Sequence, residues 1–419
     1  MAVVVAGLCV LAWLVAVCRV NPGLIADEQY HYLTSAAMAR GEMPDSQTLG
    51  MPPTFHTAAA AVLRTFGMQL WVLRAFNALL FVGAIVCFAA AAVRLRAREA
   101  IEQDARREGS GTAGPVWLTL LFALNPLIFP YGALAYTEPA SLLAVMAAFW
   151  LLVIRKPMVC AAVLVAACLI RQSNLAWLPM FAIWWMCDRP GRENDAEARR
   201  DWGGWGLIPL LLAIPAAWLG LQALGGVEFG GRGANAPQFN RAQFYVFPLA
   251  IGALWLPLWV ARFPGLWRST LQWLTMRARF VAVGLAAVGA LVMVYQNPHP
   301  WNADPRYVRN QPLIAMDWSD GARYLVSAVV VATEVMLALV LRGQRFRWPA
   351  ILALGSSIVF LAPHYLVDPR YYQIPFALMS LTIRFKTGEA AALVAWQVVV
   401  CVAICAYIAQ TGDPSGGIW

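Results

Sequence analysis

The chain has 419 residues, 61% of them apolar and 13% charged, with a formal net charge of +9. Soluble domains hold about 45–50% apolar residues, so the composition excludes an ordinary soluble enzyme, and it excludes intrinsic disorder for the same reason. All but two of the 31 basic residues are arginine, the exceptions being Lys156 and Lys386. No basic stretch interleaves with aromatics, so no nucleic-acid partner is expected and the charge is assigned to membrane topology.

Apolar stretches predict membrane spans at 1–18, 71–93, 116–135, 139–154, 157–170, 174–187, 205–224, 244–261, 280–296, 322–341, 349–366, 372–385 and 389–409. The expected fold is therefore an all-α polytopic transmembrane bundle of about thirteen spans, one integral-membrane domain over 1–419 with long extracytoplasmic loops. With the N-terminus inside, the cytoplasmic loops hold most of the basic residues, from Arg94 and Arg107 to Arg384 and Lys386. The stretch 157–187 is long for one span and is broken by Arg171, Gln172, Ser173 and Asn174, so it is read as two short helices meeting at an outward-facing turn. The outer loops, about 19–70, 225–243 and 297–321, collect the polar residues, and all four histidines map to that face. Arginine usage hints at a GC-rich bacterial genome and an inner membrane; in a eukaryote the same topology means the endoplasmic reticulum, with the site on the periplasmic or lumenal side. The eight cysteines all lie in apolar stretches without metal spacing and read as small hydrophobes.

No HExxH, P-loop, G-x-S-x-G or D-x-D occurs, so no metal site and no cofactor is expected. The first polar constellation is Asp27-Glu28-Gln29-Tyr30-His31, immediately after the first span. On a helix Asp27 and His31 share a face, and a carboxylate there can take a proton from a hydroxyl; the same acidic pair also suits a plain helix start. His56 follows the Pro52-Pro53 pair, which opens a helix and fixes the loop's return to the membrane. Tyr136 and Glu138 lie between two spans, where Glu138 can begin a helix or hold a sugar. Arg171 is costly to desolvate alone and needs an anion, either a protein carboxylate or a phosphate. His299, Asp304, Arg306 and Arg309 crowd the 297–321 loop, and Arg370 with Tyr371 sits where a span re-enters at headgroup depth. Glu334 lies inside an apolar span and is a candidate proton-coupling carboxylate or a satisfied internal group.

In order along the chain these motifs resemble the α-1,2-glucosyltransferases that use dolichyl-phosphate glucose, members of the GT-C integral-membrane glycosyltransferases. That family's D-E-x-x-H is matched by Asp27, Glu28 and His31, and its T-P-P by Met51-Pro52-Pro53. Its Y-T-D resembles Tyr136-Thr137-Glu138, and its R-Q-[ST]-N is matched by Arg171, Gln172, Ser173 and Asn174. Its H-P…A-D-N-R-H-Y resembles His299-Pro300 and Ala303-Asp304-Pro305-Arg306-Tyr307, and its F-R-Y resembles Pro369-Arg370-Tyr371 with Pro375 downstream. The second histidine of the fifth motif is missing here, and the family's G-D-R-S-N-H is only echoed by Gly231 to Asn235.

The resemblance implies a polyprenyl- or dolichyl-phosphate hexose donor, with glucose as the hexose. It implies a lipid-linked glycan acceptor, membrane lipids as surroundings, and inversion to an α-1,2 linkage. Asp27, with Glu28 as the second candidate, would be the base. His31, His56, Tyr136, Glu138, Arg171, Gln172, Asn174, His299, Asp304, Arg306, Arg309, Arg370 and Tyr371 would bind substrate. Two alternatives share much of this pattern: a GT-C enzyme moving another lipid-phosphate sugar onto protein or lipid A, and a lipid-linked glycan transporter or flippase.

Overall fold

The computed structural model describes residues 1–25, 27–42, 51–104, 113–187, 206–224, 239–264, 278–298, 300–304, 310–342, 348–364 and 366–411. The described residues are dominated by helices. In chain order they are α1 (Ala2–Val20), α2 (Glu28–Ala39), α3 (Thr54–Phe66), α4 (Leu70–Asp104), α5 (Pro115–Ala123), α6 (Glu138–Val153), α7 (Pro157–Ile170) and α8 (Trp177–Cys187). They continue with α9 (Leu207–Ala223), α10 (Gln243–Leu254), α11 (Leu256–Pro264), α12 (Ala278–Val294) and α13 (Gln311–Trp318). The last four are α14 (Asp320–Arg342), α15 (Trp348–Leu361), α16 (Gln373–Thr382) and α17 (Thr387–Thr411).

Among the described residues four helices are long and apolar enough to cross a membrane: α1, α4 to Arg98, α14, and α17 to Gln410. A fifth crossing is possible if α10 and α11, bent by 72°, count as one. The thirteen expected spans therefore do not each appear as a full-length helix. The stretch 116–135 stops as a helix at Ala123 because Pro126 lacks an N–H and biases Asn125 away from helical geometry. Among the described residues five apolar helices fall between 10 and 17 residues, α6, α7 and α9 among them. Short helices of this kind are tolerated where they pack against protein.

The long α4 organises one half of the molecule, packing along α1, α5 and α6, while α7 runs between α6 and α9. In the other half α14 packs on α10, α12 and α13. Aromatic rings fill the interior: Phe88 stacks on Phe122 at 4.3 Å, Phe149 meets Trp184 edge-on at 4.9 Å, and Trp177 stacks on Phe360 at 4.9 Å.

The irregular segment 124–137 crosses this interior and would strand its backbone without side-chain partners. Trp13 donates its indole N–H to the Pro130 carbonyl at 3.0 Å, and Asn77 Nδ2 serves the carbonyls of Leu134 and Tyr136 at 2.6 Å each. Gly132 allows the close approach of α4, since a Cβ there would lie 2.2 Å from the ring of Phe81, itself 1% exposed. Gly132→Ala is expected to destabilise the protein by about 1–3 kcal/mol through overpacking, read as a lowered thermal midpoint in detergent.

Two amphipathic helices fill the predicted loop 19–70. Their buried faces are His31, Ser35, Ala36 and Ala39 on α2, and Phe55, His56, Ala59, Ala60 and Leu63 on α3, both at helical spacing. Gly67, at φ 112, ends α3 in a conformation that favours glycine.

Candidate active site

The site is built where α1 hands over to α2. The turn after α1 wraps around Arg74 of α4, a guanidinium 1% exposed. Arg74 donates to the carbonyls of Asn21 and Gly23, at 2.7 Å each, and to both oxygens of Glu28, at 2.9 and 2.6 Å. Glu28 also accepts the backbone N–H groups of Ile25 at 2.9 Å and Ala135 at 2.7 Å. Its carboxylate is wholly buried, and its acceptor capacity is engaged by the protein.

Asp27 is placed differently. It precedes the first residue of α2, and its side chain is 44% exposed. Oδ2 lies 2.8 Å from Nη1 of Arg370, and the Asp27 backbone N–H donates to the Tyr136 hydroxyl at 3.2 Å. The expected pairing of Asp27 with His31 along the helix is replaced by this contact, because Asp27 stands at the cap and its carboxylate points across to the 369–372 turn.

Arg370 is held from behind by Asp368. One oxygen of Asp368 accepts the Arg370 backbone N–H at 3.0 Å and the other accepts Nη2 at 2.7 Å. The guanidinium also lies over the Tyr136 ring, 5.1 Å from its centroid. Burial opposes its charge, but Asp368, Asp27 and Glu138 outweigh burial and raise its pKa well above the ordinary value.

A second ion pair lies close by. Arg171, at the break between α7 and α8, meets Glu138 at 2.5 Å and faces the Tyr371 ring at 5.7 Å. Arg171 thus has a protein carboxylate as partner, one of the two anions the sequence left open. Tyr371 in turn packs at a tilt against His364, with ring centroids 4.2 Å apart.

His31 and His56 form a buried pair, Nδ1 to Nε2 at 3.2 Å, with their rings stacked and His31 5.6 Å from the Tyr136 ring. Burial lowers the pKa of His31 to about 4; Glu138 opposes the shift, while Arg370 and Arg171 add to it. Burial and then His31 lower His56 to about 3. Both rings are neutral at pH 7, and Nδ1 of His56 has no protein partner. An unfolded histidine titrates near 6.5. The neutral pair therefore contributes its full stability above that pH and loses it as the pH falls toward 4 and 3. The thermal midpoint is expected to drop between pH 7 and pH 5, with a shallower drop in His56→Gln.

Other sequence candidates lie elsewhere or serve packing. Asn174 donates to Ser141 Oγ and the Ala167 carbonyl, each at 2.8 Å, and Gln172 is buried in the same 3₁₀ turn. Asp304 accepts at its backbone carbonyl from Asn310, at 3.0 Å. Asn302 in the same loop accepts the Val367 N–H at 3.1 Å, which ties the loop to the segment carrying Asp368 and Arg370. His299, Arg306 and Arg309 lie outside the described residues.

Sequence reasoning did not find Arg74, Asp368 or Asn77. Arg74 had a signal, since an arginine inside an apolar span demands a partner. Asp368 sits two residues before Arg370 but carries no pattern of its own.

The sequence profile of the DIE2/ALG10 family matches residues 26–201 and 208–381. No curated protein is similar enough in sequence to count as a match. Among solved structures, ArnT from Cupriavidus metallidurans bound to undecaprenyl phosphate is similar over 97% of this chain and 79% of its own, with 15% identity and a TM-score of 0.40. Because the family profile covers most of the sequence, from the Asp27 turn through the Arg370 turn, the chain belongs to the DIE2/ALG10 family, and it is a membrane glycosyltransferase that uses a lipid-phosphate sugar donor.

Proposed function

We propose that the protein moves a hexose, glucose by family resemblance, from a polyprenyl or dolichyl phosphate to a lipid-linked glycan, inverting a β-linked donor to an α-1,2 product. The observation that carries this reading is the Asp27–Arg370 pair, a half-exposed carboxylate 2.8 Å from a guanidinium that is otherwise enclosed. One group suits an acceptor hydroxyl and the other suits a phosphate.

In the proposed step, Asp27 takes the proton of the acceptor hydroxyl as its oxygen bonds to the anomeric carbon. The bond from that carbon to the phosphate oxygen breaks, and the lipid phosphate leaves with the electron pair. Arg370 neutralises the charge that develops on the phosphate, with Arg171 nearby. Phosphate competes with Asp27 for Nη1 of Arg370, and Asp368 keeps Nη2 in place meanwhile. Glu28 is left out as a base because four protein donor groups already occupy it. The buried, neutral His31–His56 pair and Tyr136 back the Asp27–Arg370 pair, Tyr136 through its ring against Arg370 and its hydroxyl on the Asp27 N–H.

A cavity of about 560 Å³ between α10, α14 and α15 supports the lipid half of the reading. It is lined by Phe247, Ile251, Leu337 and Ile358, with Glu334 and Gln243 among its few polar groups. Gln243 accepts the Tyr372 hydroxyl at 2.8 Å and donates to the Leu366 carbonyl at 3.0 Å, which links one end of this groove to the Arg370 turn. A prenyl tail lying there would leave its phosphate at the site.

The course of α4 supports an orientation. From Arg96 to Arg74 it rises about 33 Å at 1.5 Å per residue, roughly the apolar thickness of a bilayer. With Arg96 and Arg98 read as the cytoplasmic end, the proposed site opens to the periplasm of a bacterial inner membrane, or to the lumen in a eukaryote.

The test is purified protein in nanodiscs given a panel of polyprenyl-phosphate sugars. Release of free lipid phosphate together with a glycosylated acceptor is expected with the glucosyl donor. Release with a different sugar would change the assigned hexose, and transfer to protein or lipid A would change the acceptor. Movement of a donor that stays intact would replace the enzyme with a transporter.

A further inference from the structure

A base at Asp27 works only if its carboxylate is held opposite Arg370. The Asp27 carboxylate pairs with Arg370, while the chain on either side of Asp27 is bonded to one residue of α4. Arg74 donates to the carbonyls of Asn21 at 2.7 Å and Val17 at 3.4 Å, which belong to the end of α1. A cation suits that end, where helix carbonyls lack partners. Its other nitrogens fork onto Glu28, the residue after Asp27, and reach Gly23 within the turn. Glu28 then accepts the N–H of Ala135. Ala135 precedes Tyr136, whose hydroxyl receives the Asp27 N–H.

We infer that Arg74 is a positioning residue: its guanidinium fixes the turn between α1 and α2 so that the Asp27 carboxylate faces Arg370. This rests on the reading of Asp27 as the base. Arg74 touches neither Asp27's side chain nor the open part of the site, and a buried guanidinium is costly unless its hydrogen bonds are made. A merely stabilising ion pair needs only the Glu28 fork. The three carbonyl contacts also hold the chain before Asp27, so that with the Glu28 fork the turn is fixed on both sides of it. Lysine keeps the charge but cannot make a forked contact while reaching three carbonyls.

The expected result for Arg74→Lys is a kcat lower by about 100-fold, with donor Kd and KM changed by less than about threefold, because Arg370 remains held by Asp368. In Arg74→Ala, added guanidinium ion is expected to recover about tenfold of the lost kcat, and methylammonium is expected to recover none. Activity is counted per donor-binding molecule, so misfolded protein does not enter the rate.

Asp27→Asn is measured alongside. Full activity of Asp27→Asn would overturn the assignment of the base. A dead Asp27→Asn with wild-type kcat in Arg74→Lys would overturn the positioning role alone. A loss of donor binding in step with kcat would also overturn it, since that pattern belongs to general destabilisation. Should neither Arg74 variant accumulate as folded protein, Glu28→Gln takes its place: a kcat loss with donor binding retained is expected, and an undiminished kcat contradicts the proposal.

Discussion

Asp27→Asn is expected to lower kcat by about 10²- to 10⁴-fold, the range over which a positioned general base accelerates proton transfer, while donor binding is retained or strengthened because no carboxylate then competes for Nη1 of Arg370. The amide keeps the size of the carboxylate but cannot take the acceptor proton. The backbone N–H that bonds to Tyr136 is untouched, so the turn retains its course. The lost ion pair with Arg370 is half-exposed on the Asp27 side, and pairs of that kind contribute about 1 kcal/mol or less. Folding should therefore survive. Glu28→Gln makes the contrast useful: it breaks a fully buried pair with Arg74, where removing one charge costs about 3–5 kcal/mol. Asp27→Asn should thus lose catalysis with its thermal midpoint nearly unchanged, and Glu28→Gln should lose midpoint as well. Rate and thermal melt measured on both variants check this.

Arg370→Ala is the second large effect. Removing one donor aimed at developing negative charge costs about 10²- to 10³-fold in kcat. Here the loss of the phosphate ligand is expected to raise donor KM too. The stability consequence is separable. Asp368 is 2% exposed and would lose the guanidinium while still accepting the backbone N–H at position 370. Leaving that carboxylate without its guanidinium should cost about 3–5 kcal/mol. Arg370→Ala combined with Asp368→Asn is therefore expected to regain much of the thermal midpoint and none of the activity. Recovery of turnover in the double variant would mean that Arg370 acts only as a structural partner of Asp368.

Much of this site was legible in the sequence because its residues are conspicuous where they stand. An acidic pair directly after an apolar span, an arginine between two short helices and an arginine at a re-entry point each need a partner in a low-dielectric setting. That need exists before any fold is known. What the sequence does not encode locally is which partner is taken. Asp27 and His31 are four apart, yet Asp27 reaches Arg370 across 343 positions and His31 turns to His56. The two adjacent acids look interchangeable as text, and only the wrapping of the turn around Arg74 separates a buried anchor from an accessible carboxylate.

The span count shows the same limit. Hydropathy sees apolar length but not the point where Asn125-Pro126 ends a helix, nor the bend of 72° between α10 and α11. Segments such as 372–385 are apolar because they are buried in protein, as the ten residues of α16 are. A composition window cannot tell that from contact with lipid.

The most direct measurement is the structure of the Asp27→Asn protein in nanodiscs with a polyprenyl-phosphate sugar bound. The account predicts the phosphate hydrogen-bonded to Arg370, the anomeric carbon turned toward the side chain at position 27, and the prenyl tail leading into the groove between α10, α14 and α15. A sugar phosphate seated away from both Arg370 and position 27 would contradict it.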